Sequence, residues 1–201
     1  MPPPSVKPAI RGRPQAASRE LLQEAAFELF LEQGFAGTTV EQITTRAGVS
    51  RNTFFNYFTA KGDVFWVELD ESMDCLAASL RESHPETPPM QAVLEAVLAF
   101  GREFGPDRVP FALTQYDLIG SVHELQASAL TRFMRQAAVI REFLTARGMD
   151  RPHANAAAYA AIGATIAAGQ AWAAASTSRG EVESYLRAAL RSVVAGFGSM
   201  V

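Results

Sequence analysis

The sequence predicts an all-α protein of about nine helices, arranged as a small N-terminal unit and a larger C-terminal bundle. Three observations predict it. Apolar residues recur at spacings of three and four through most of the 201 residues. Glycines, prolines and capping residues cut the chain into helix-length pieces. No run alternates apolar and polar residues as a half-buried strand does, and no segment repeats.

Residues 1–17 hold five prolines and little to bury, which predicts an extended basic arm. A first helix is expected from Arg19 to Gln33, capped by Ser18, with Leu22, Ala25, Ala26, Leu29 and Phe30 on one face and Gly34 as its stop. A second runs from Val40 to Ala47 behind a Thr39/Gln42 capping box. After Gly48, Ser50 caps a third that reaches Phe58. A fourth runs from Lys61 to Arg81, and Pro85, Pro88 and Pro89 break the chain after it. A fifth covers Met90–Phe104 and a short sixth lies within Pro110–Ile119. The seventh spans His123–Arg147, the eighth Asp150–Ala175 and the ninth Glu181–Ala195. The expected domains are the arm at 1–17, a three-helix unit at 18–60 and a bundle at 61–201.

The net charge of −3 is unevenly spread. No acid falls between Glu41 and Asp63, a window that holds Arg46, Arg51 and Lys61, while the rest of the chain is acidic. Phosphate attraction is local, screened within roughly 8–10 Å, so a small basic unit on an acidic body can still hold a duplex. A lone Cys75 excludes an internal disulfide and fits a reducing cytoplasm. No stretch is apolar enough to cross a membrane, and the N-terminus lacks the apolar core of a signal peptide.

The most informative stretch is TVEQITTRAGVSRNTFFNYFTAK, Thr39–Lys61. Two short helices joined by a tight Gly turn make a helix-turn-helix. Phe54 and Phe58 share the inner face with Ile43 and Val49. Asn52, Thr53, Phe55 and Asn56 therefore face outward, flanked by Arg51 and Tyr57. Arg can fork onto guanine, Asn onto adenine, and Phe or a Thr methyl can touch the thymine methyl. Thr39, Thr44, Ser50, Tyr57 and Lys61 complete the candidate DNA contacts, chiefly to phosphate. In the arm, Arg11-Gly12-Arg13-Pro14 resembles the core of AT-hook peptides, and two readings stand: Arg11 and Arg13 in a minor groove, or a solvated tail.

These residues resemble the TetR (tetracycline-repressor) family. The resemblance runs from Arg19 to Phe65 and rests on Gly34-Phe35, Thr38-Thr39-Val40, Ile43, Ala47-Gly48-Val49-Ser50, Thr53-Phe54, Tyr57-Phe58 and Lys61. Three positions depart from the family's usual pattern: Phe55 replaces a tyrosine, Thr44 an alanine, and Ala60-Lys61-Gly62 a Ser-Lys-Glu. The resemblance implies an N-terminal three-helix helix-turn-helix DNA-binding domain and a C-terminal helical ligand-binding and dimerisation bundle. It implies a homodimer, formed through the eighth and ninth helices, on a palindromic DNA operator. A small, largely apolar effector would then release the protein, and the TFFNYF run resembles a variant whose ligand is acyl-CoA-like.

The body carries more large apolar residues than a thin bundle needs. Trp66, Leu69, Met73, Val97, Phe100 and Phe104 are candidates for a pocket lining; so are Phe111, Tyr116, Phe133, Met134 and Tyr159. Gln115, His123, Asn155 and Gln170 are the candidate polar groups there, with Arg102, Arg135 and Arg141 for an anion. Taken singly, each apolar residue is better read as ordinary core. The eighth helix is dense in alanine and glycine, and the ninth offers Val182, Leu186, Leu190, Val193 and Val194. No catalytic constellation, phosphate loop, metal-ligand spacing or cofactor motif is present. Two alternatives remain beside a ligand-released repressor: a ligand-independent DNA organiser and a helical small-molecule enzyme. The first predicts a filled core, the second a buried acid/base pair.

Overall fold

The computed structural model describes residues 15–105, 109–175 and 180–198. Arg11 and Arg13 lie outside them. The described residues form two compact units, one ending at Val64 and one beginning at Phe65.

The N-terminal unit, the head, holds α1 (Gln15–Gly37), α2 (Val40–Ala47) and α3 (Arg51–Phe55). The first helix begins four residues before its expected start, so Ser18 is not its cap but a buried residue inside it. Gly34 interrupts it at φ 76°, ψ 164°. Leu22, Ala25, Ala26, Leu29 and Phe30 are buried as one stripe and meet Phe35, Ile43, Ala47, Phe54 and Phe58. The Phe30 and Phe35 rings lie 5.2 Å apart, as do those of Phe54 and Phe58. The Thr39/Gln42 capping box forms in both directions. Gly48 takes the left-handed conformation at φ 65°, which lets the chain reverse between α2 and α3 without a Cβ clash.

A 3₁₀ turn, Lys61–Trp66, follows. Its first residues belong to the head: Asp63 accepts from the Thr59 and Ala60 amides, and Gln23 donates to the Val64 carbonyl. The compact unit therefore extends to Val64, past the boundary expected at residue 60. The turn also delays the fourth helix, because Gly62 stands where a helix former would start it.

The C-terminal unit, the body, contains α4 (Val67–Glu82), α5 (Pro89–Gly101), α6 (Phe111–Thr114), α7 (Tyr116–Ser121), α8 (His123–Ala146), α9 (Arg151–Ala174) and α10 (Val182–Phe197). There are thus ten α-helices among the described residues. The expected sixth helix is two short ones, because Gln115 leaves helical geometry at φ −112°, ψ 29°. Leu80, Met90, Val93, Ile140, Leu144, Ala157, Ala161, Trp172, Leu186 and Leu190 form the core. At Gly101 a Cβ would stand 2.4 Å from Leu186 Cδ1, so a larger residue there would have to push the Leu186 side chain aside between α5 and α10. Asp150 caps α9 through the His153 amide, and a hydrogen bond from the His153 ring holds its carboxyl below the usual carboxylate range. Arg147 ties the end of α8 to the proline-rich loop, donating to the Pro85 and Thr87 carbonyls at 2.5 and 2.6 Å.

The small residues of α9 divide between two faces. Ala157, Ala161, Ala168 and Gly169 are buried inside the chain; Ala156, Gly163, Ala167 and Ala171 are exposed. Cys75, on α4, is exposed. No described helix is long and apolar enough to cross a membrane.

Candidate functional site

Ser50 accepts from the Thr53 amide at 3.1 Å and starts α3, and its hydroxyl also bonds that of Thr53 at 2.8 Å. With this end fixed, Arg51, Asn52, Phe55 and Asn56 are exposed, and Thr53 and Tyr57 are half-buried over the packed Phe54 and Phe58. Asn52, Phe55 and Asn56 are exposed as the helical wheel predicts; Thr53, expected outward with them, is half-buried against Ser50. The aromatic member of the exposed set is not idle: the Arg51 guanidinium lies 5.4 Å from the Phe55 ring centroid. Arg51 also forms an ion pair with Glu41 of α2. That acid escapes sequence reasoning, because ten residues separate it from Arg51 and no helical spacing links them.

Three basic-window expectations change. Arg46 forks onto Glu32 and also bonds Glu28, at 2.8–3.0 Å, joining α2 to α1. These bonds raise the Arg46 pKa and lower that of Glu32. Lys61 is not presented as a phosphate ligand. Its Nζ donates to the Phe35 carbonyl at 2.8 Å and the Thr38 carbonyl at 3.0 Å, and lies 4.2 Å from the Phe35 ring centroid. It thereby adds a charged donor to two carbonyls where α1 turns into α2, the first of which also accepts from the Thr38 amide. Thr44 is buried and donates to the Glu41 carbonyl, so it does not face a duplex; its extra bulk over alanine goes into the head. Thr39 and Ser50 are exposed, but each hydroxyl already accepts from a helix amide.

The body holds a partly open cavity of about 410 Å³. Trp66, Leu69, Phe100, Phe104, Tyr116 and Phe133 line it, six of the residues that the sequence proposes. Five others lie elsewhere. Val97 is in the packed core, Phe111 lies against Phe65 at 5.1 Å, and Met134 and Tyr159 are exposed. Met73 is half-buried on α4 and does not line the space. Of the polar candidates only Gln170 reaches the wall, joined by Gln126, Gln136 and Thr165, and none of the three arginines does. The cavity is also walled by α9 and α10, through Ile166, Trp172, Val182 and Leu186. The missed residues include Gly101, Ala112, Gly120, Ala129 and Gly169, whose smallness makes the space. Glycines inside helices were their available signal. Among the described residues no cluster of metal-ligating side chains occurs.

Residues 22–65 match the family described as bacterial regulatory proteins, tetR family, and residues 87–198, over half of the chain, match the MftR C-terminal domain. The chain belongs to the TetR family. It is a DNA-binding transcriptional regulator. The HTH-type transcriptional regulator TcmR of Streptomyces glaucescens is 30% identical over 170 residues, 79% of this chain and 75% of TcmR. Solved TetR-like structures share the fold. The SmeT–triclosan complex, of the Stenotrophomonas maltophilia repressor, superimposes with a TM-score of 0.62 at 17% identity, over 90% of this chain and 91% of SmeT. Thermus thermophilus FadR with lauroyl-CoA gives 0.58 at 22% identity, over 89% and 94%.

Proposed function

We propose that this TetR-family regulator represses transcription as a cytoplasmic homodimer on a palindromic operator, and that a small, largely apolar effector entering the body releases it. The cavity carries this reading. At about 410 Å³ it falls within the roughly 300–1,000 Å³ of small-molecule sites, and its wall is mostly aromatic and aliphatic. The ligands named with SmeT and FadR, triclosan and lauroyl-CoA, each bring a large apolar part, a chlorinated diaryl ether and a twelve-carbon acyl chain. An organiser without a ligand would leave no such space in its core. Enzyme chemistry finds no support in the lining, which offers no acid/base pair among the described residues.

Dimerisation is supported by the exposed Gly163 and Ala167 of α9, where another helix can approach closely. It is the commonest symmetric assembly and places two reading helices on successive major grooves. Ala167→Glu probes pairing, whereas Ala168 is buried in its own chain and Ala168→Glu would disturb packing. On the reading face, Arg51 and Asn52 contact bases and Tyr57 contacts phosphate.

The test is to select bound sequences from random DNA, then titrate the winning site with the protein and a panel of apolar compounds. The expected outcome is an inverted repeat, released by at least one compound that raises the melting temperature of the protein. A single unrepeated half-site, or release by no compound that binds, overturns the proposal.

A further inference from the structure

We infer that Phe55 reads the 5-methyl group of a thymine in the operator, within two base steps of a guanine that Arg51 takes. The inference rests on the reading of the exposed face of α3 as the surface that meets bases.

Among the described residues of the head, Leu31 and Phe55 are the large apolar side chains left exposed, and Phe55, 45% exposed, is the one on α3. Its ring is anchored rather than loose. It stands at 82° to the ring of the fully buried Phe54, with the centroids 5.4 Å apart. The Arg51 guanidinium lies 5.4 Å from the Phe55 centroid, and Glu41 of α2 meets the same guanidinium. The face thus sets one apolar ring directly beside one forked cation.

A duplex offers few partners to such a ring. Phosphate oxygens would lose water against it and gain no hydrogen bond, because Phe55 lacks the hydroxyl that a tyrosine would bring. In the major groove the apolar projection on a base edge is the thymine 5-methyl, which a Phe ring can cover. The forked donor beside it suits the O6 and N7 acceptors of guanine. Successive base pairs lie about 3.4 Å apart along the duplex. A guanidinium 5.4 Å from the ring centroid therefore puts the two contacts on base pairs no more than two steps apart. Ring and cation together define one composite feature of the half-site, a methyl close to a pair of acceptors. Uracil differs from thymine by that methyl alone, which isolates the contact.

The experiment uses the full chain and the operator recovered by selection from random DNA. Each thymine is replaced singly, in each half-site, by deoxyuridine, which removes the methyl and leaves pairing intact. We expect one replacement to weaken the wild type about fourfold per half-site, the worth of burying one methyl group. It should fall within two base pairs of the position whose preference Arg51→Ala relaxes. Phe55→Ala should bind the thymine and deoxyuridine operators alike. At that position 5-iododeoxyuridine, its iodine standing in for the methyl, should crosslink to Phe55 on irradiation, a readout that needs no variant to fold. Indifference of the wild type to every replacement, a loss that survives in Phe55→Ala, or a crosslink anywhere but Phe55 overturns the inference while leaving the reading face in place. So does a Phe55→Tyr variant that binds operator and scrambled DNA more tightly by the same factor, since that puts the ring at the backbone. If Arg51→Ala and Phe55→Ala both keep the affinity and base preference of the wild type, the reading face falls with it.

Discussion

In the head, polar groups are matched to one another. Arg46 meets Glu28 and Glu32, Lys61 meets two carbonyls, and Arg51 meets Glu41 while lying near Phe55. In the body, a cavity of about 410 Å³ remains and one indole donor has no acceptor. The first unit is finished before any partner arrives; the second keeps a partly open space with a mostly apolar wall. A surface that reads a rigid duplex gains from preorganisation, because few side chains need ordering on contact. A sensor needs a site whose occupancy changes the relative stability of conformations, since a ligand shifts a population only by its differential affinity.

The largest effect should come from Phe54→Ala. It removes the ring at the centre of the head and should cost about 3–5 kcal/mol. DNA binding should disappear while cavity probes still bind, as separate denaturation and ligand titrations would show; joint loss would mean that the two units do not fold independently. Next is Arg51→Ala, expected to weaken operator binding by about 1–3 kcal/mol per half-site and to relax the preference at one base pair. Binding titrations against single-base operator variants check it. Lys61→Met should lower stability by about 1.5 kcal/mol, since two charge-assisted bonds go but the group is only half-buried. Its salt dependence of DNA binding should stay unchanged. A slope shallower by about one counterion per half-site would instead return Lys61 to the phosphate backbone.

Smaller still is Glu41→Gln. It frees Arg51 from its ion pair and removes a negative charge beside the reading face, so operator affinity should rise by up to about 1 kcal/mol. An unchanged affinity would mean that the pair survives in the bound state. The smallest effect concerns acid. Glu32, held below its ordinary value of 4.5 by Arg46, adds stability that is present above that value and lost as pH falls through the lowered one. Arg46→Gln should remove this low-pH loss from the melting profile of the head, and only slightly, because the pair is solvent-exposed.

The same contrast explains what was legible in the sequence. Head signals are local: Thr39 and Gln42 are three residues apart, Gly48 marks one turn, and Phe54 and Phe58 share a face. Periodicity alone put Asn52, Phe55 and Asn56 outward, but not the half-buried state of Thr53, which its bond to Ser50 sets. What escaped there was long in sequence and set by tertiary position, such as Lys61 reaching Phe35 and Arg51 reaching Glu41. In the body, large apolar side chains announce that something is buried but not on which side of the helix. Val97 fills core while Phe100, three residues on, lines the cavity. The void itself is shaped by residues that contribute almost nothing to a hydrophobic pattern, Gly101 and Gly169 among them. Volume left empty has no letter of its own.

Cys75 is the single cysteine of the chain, and its place on α4 is exposed. The regulator is thus ready for site-directed labelling without engineering: a maleimide or nitroxide reagent has one address per copy. In a symmetric pair the two labels are equivalent, so a dipolar measurement returns one interspin distance for one conformation. An effector that moves the population between two arrangements would divide that distance into two, with amplitudes that give the equilibrium constant directly.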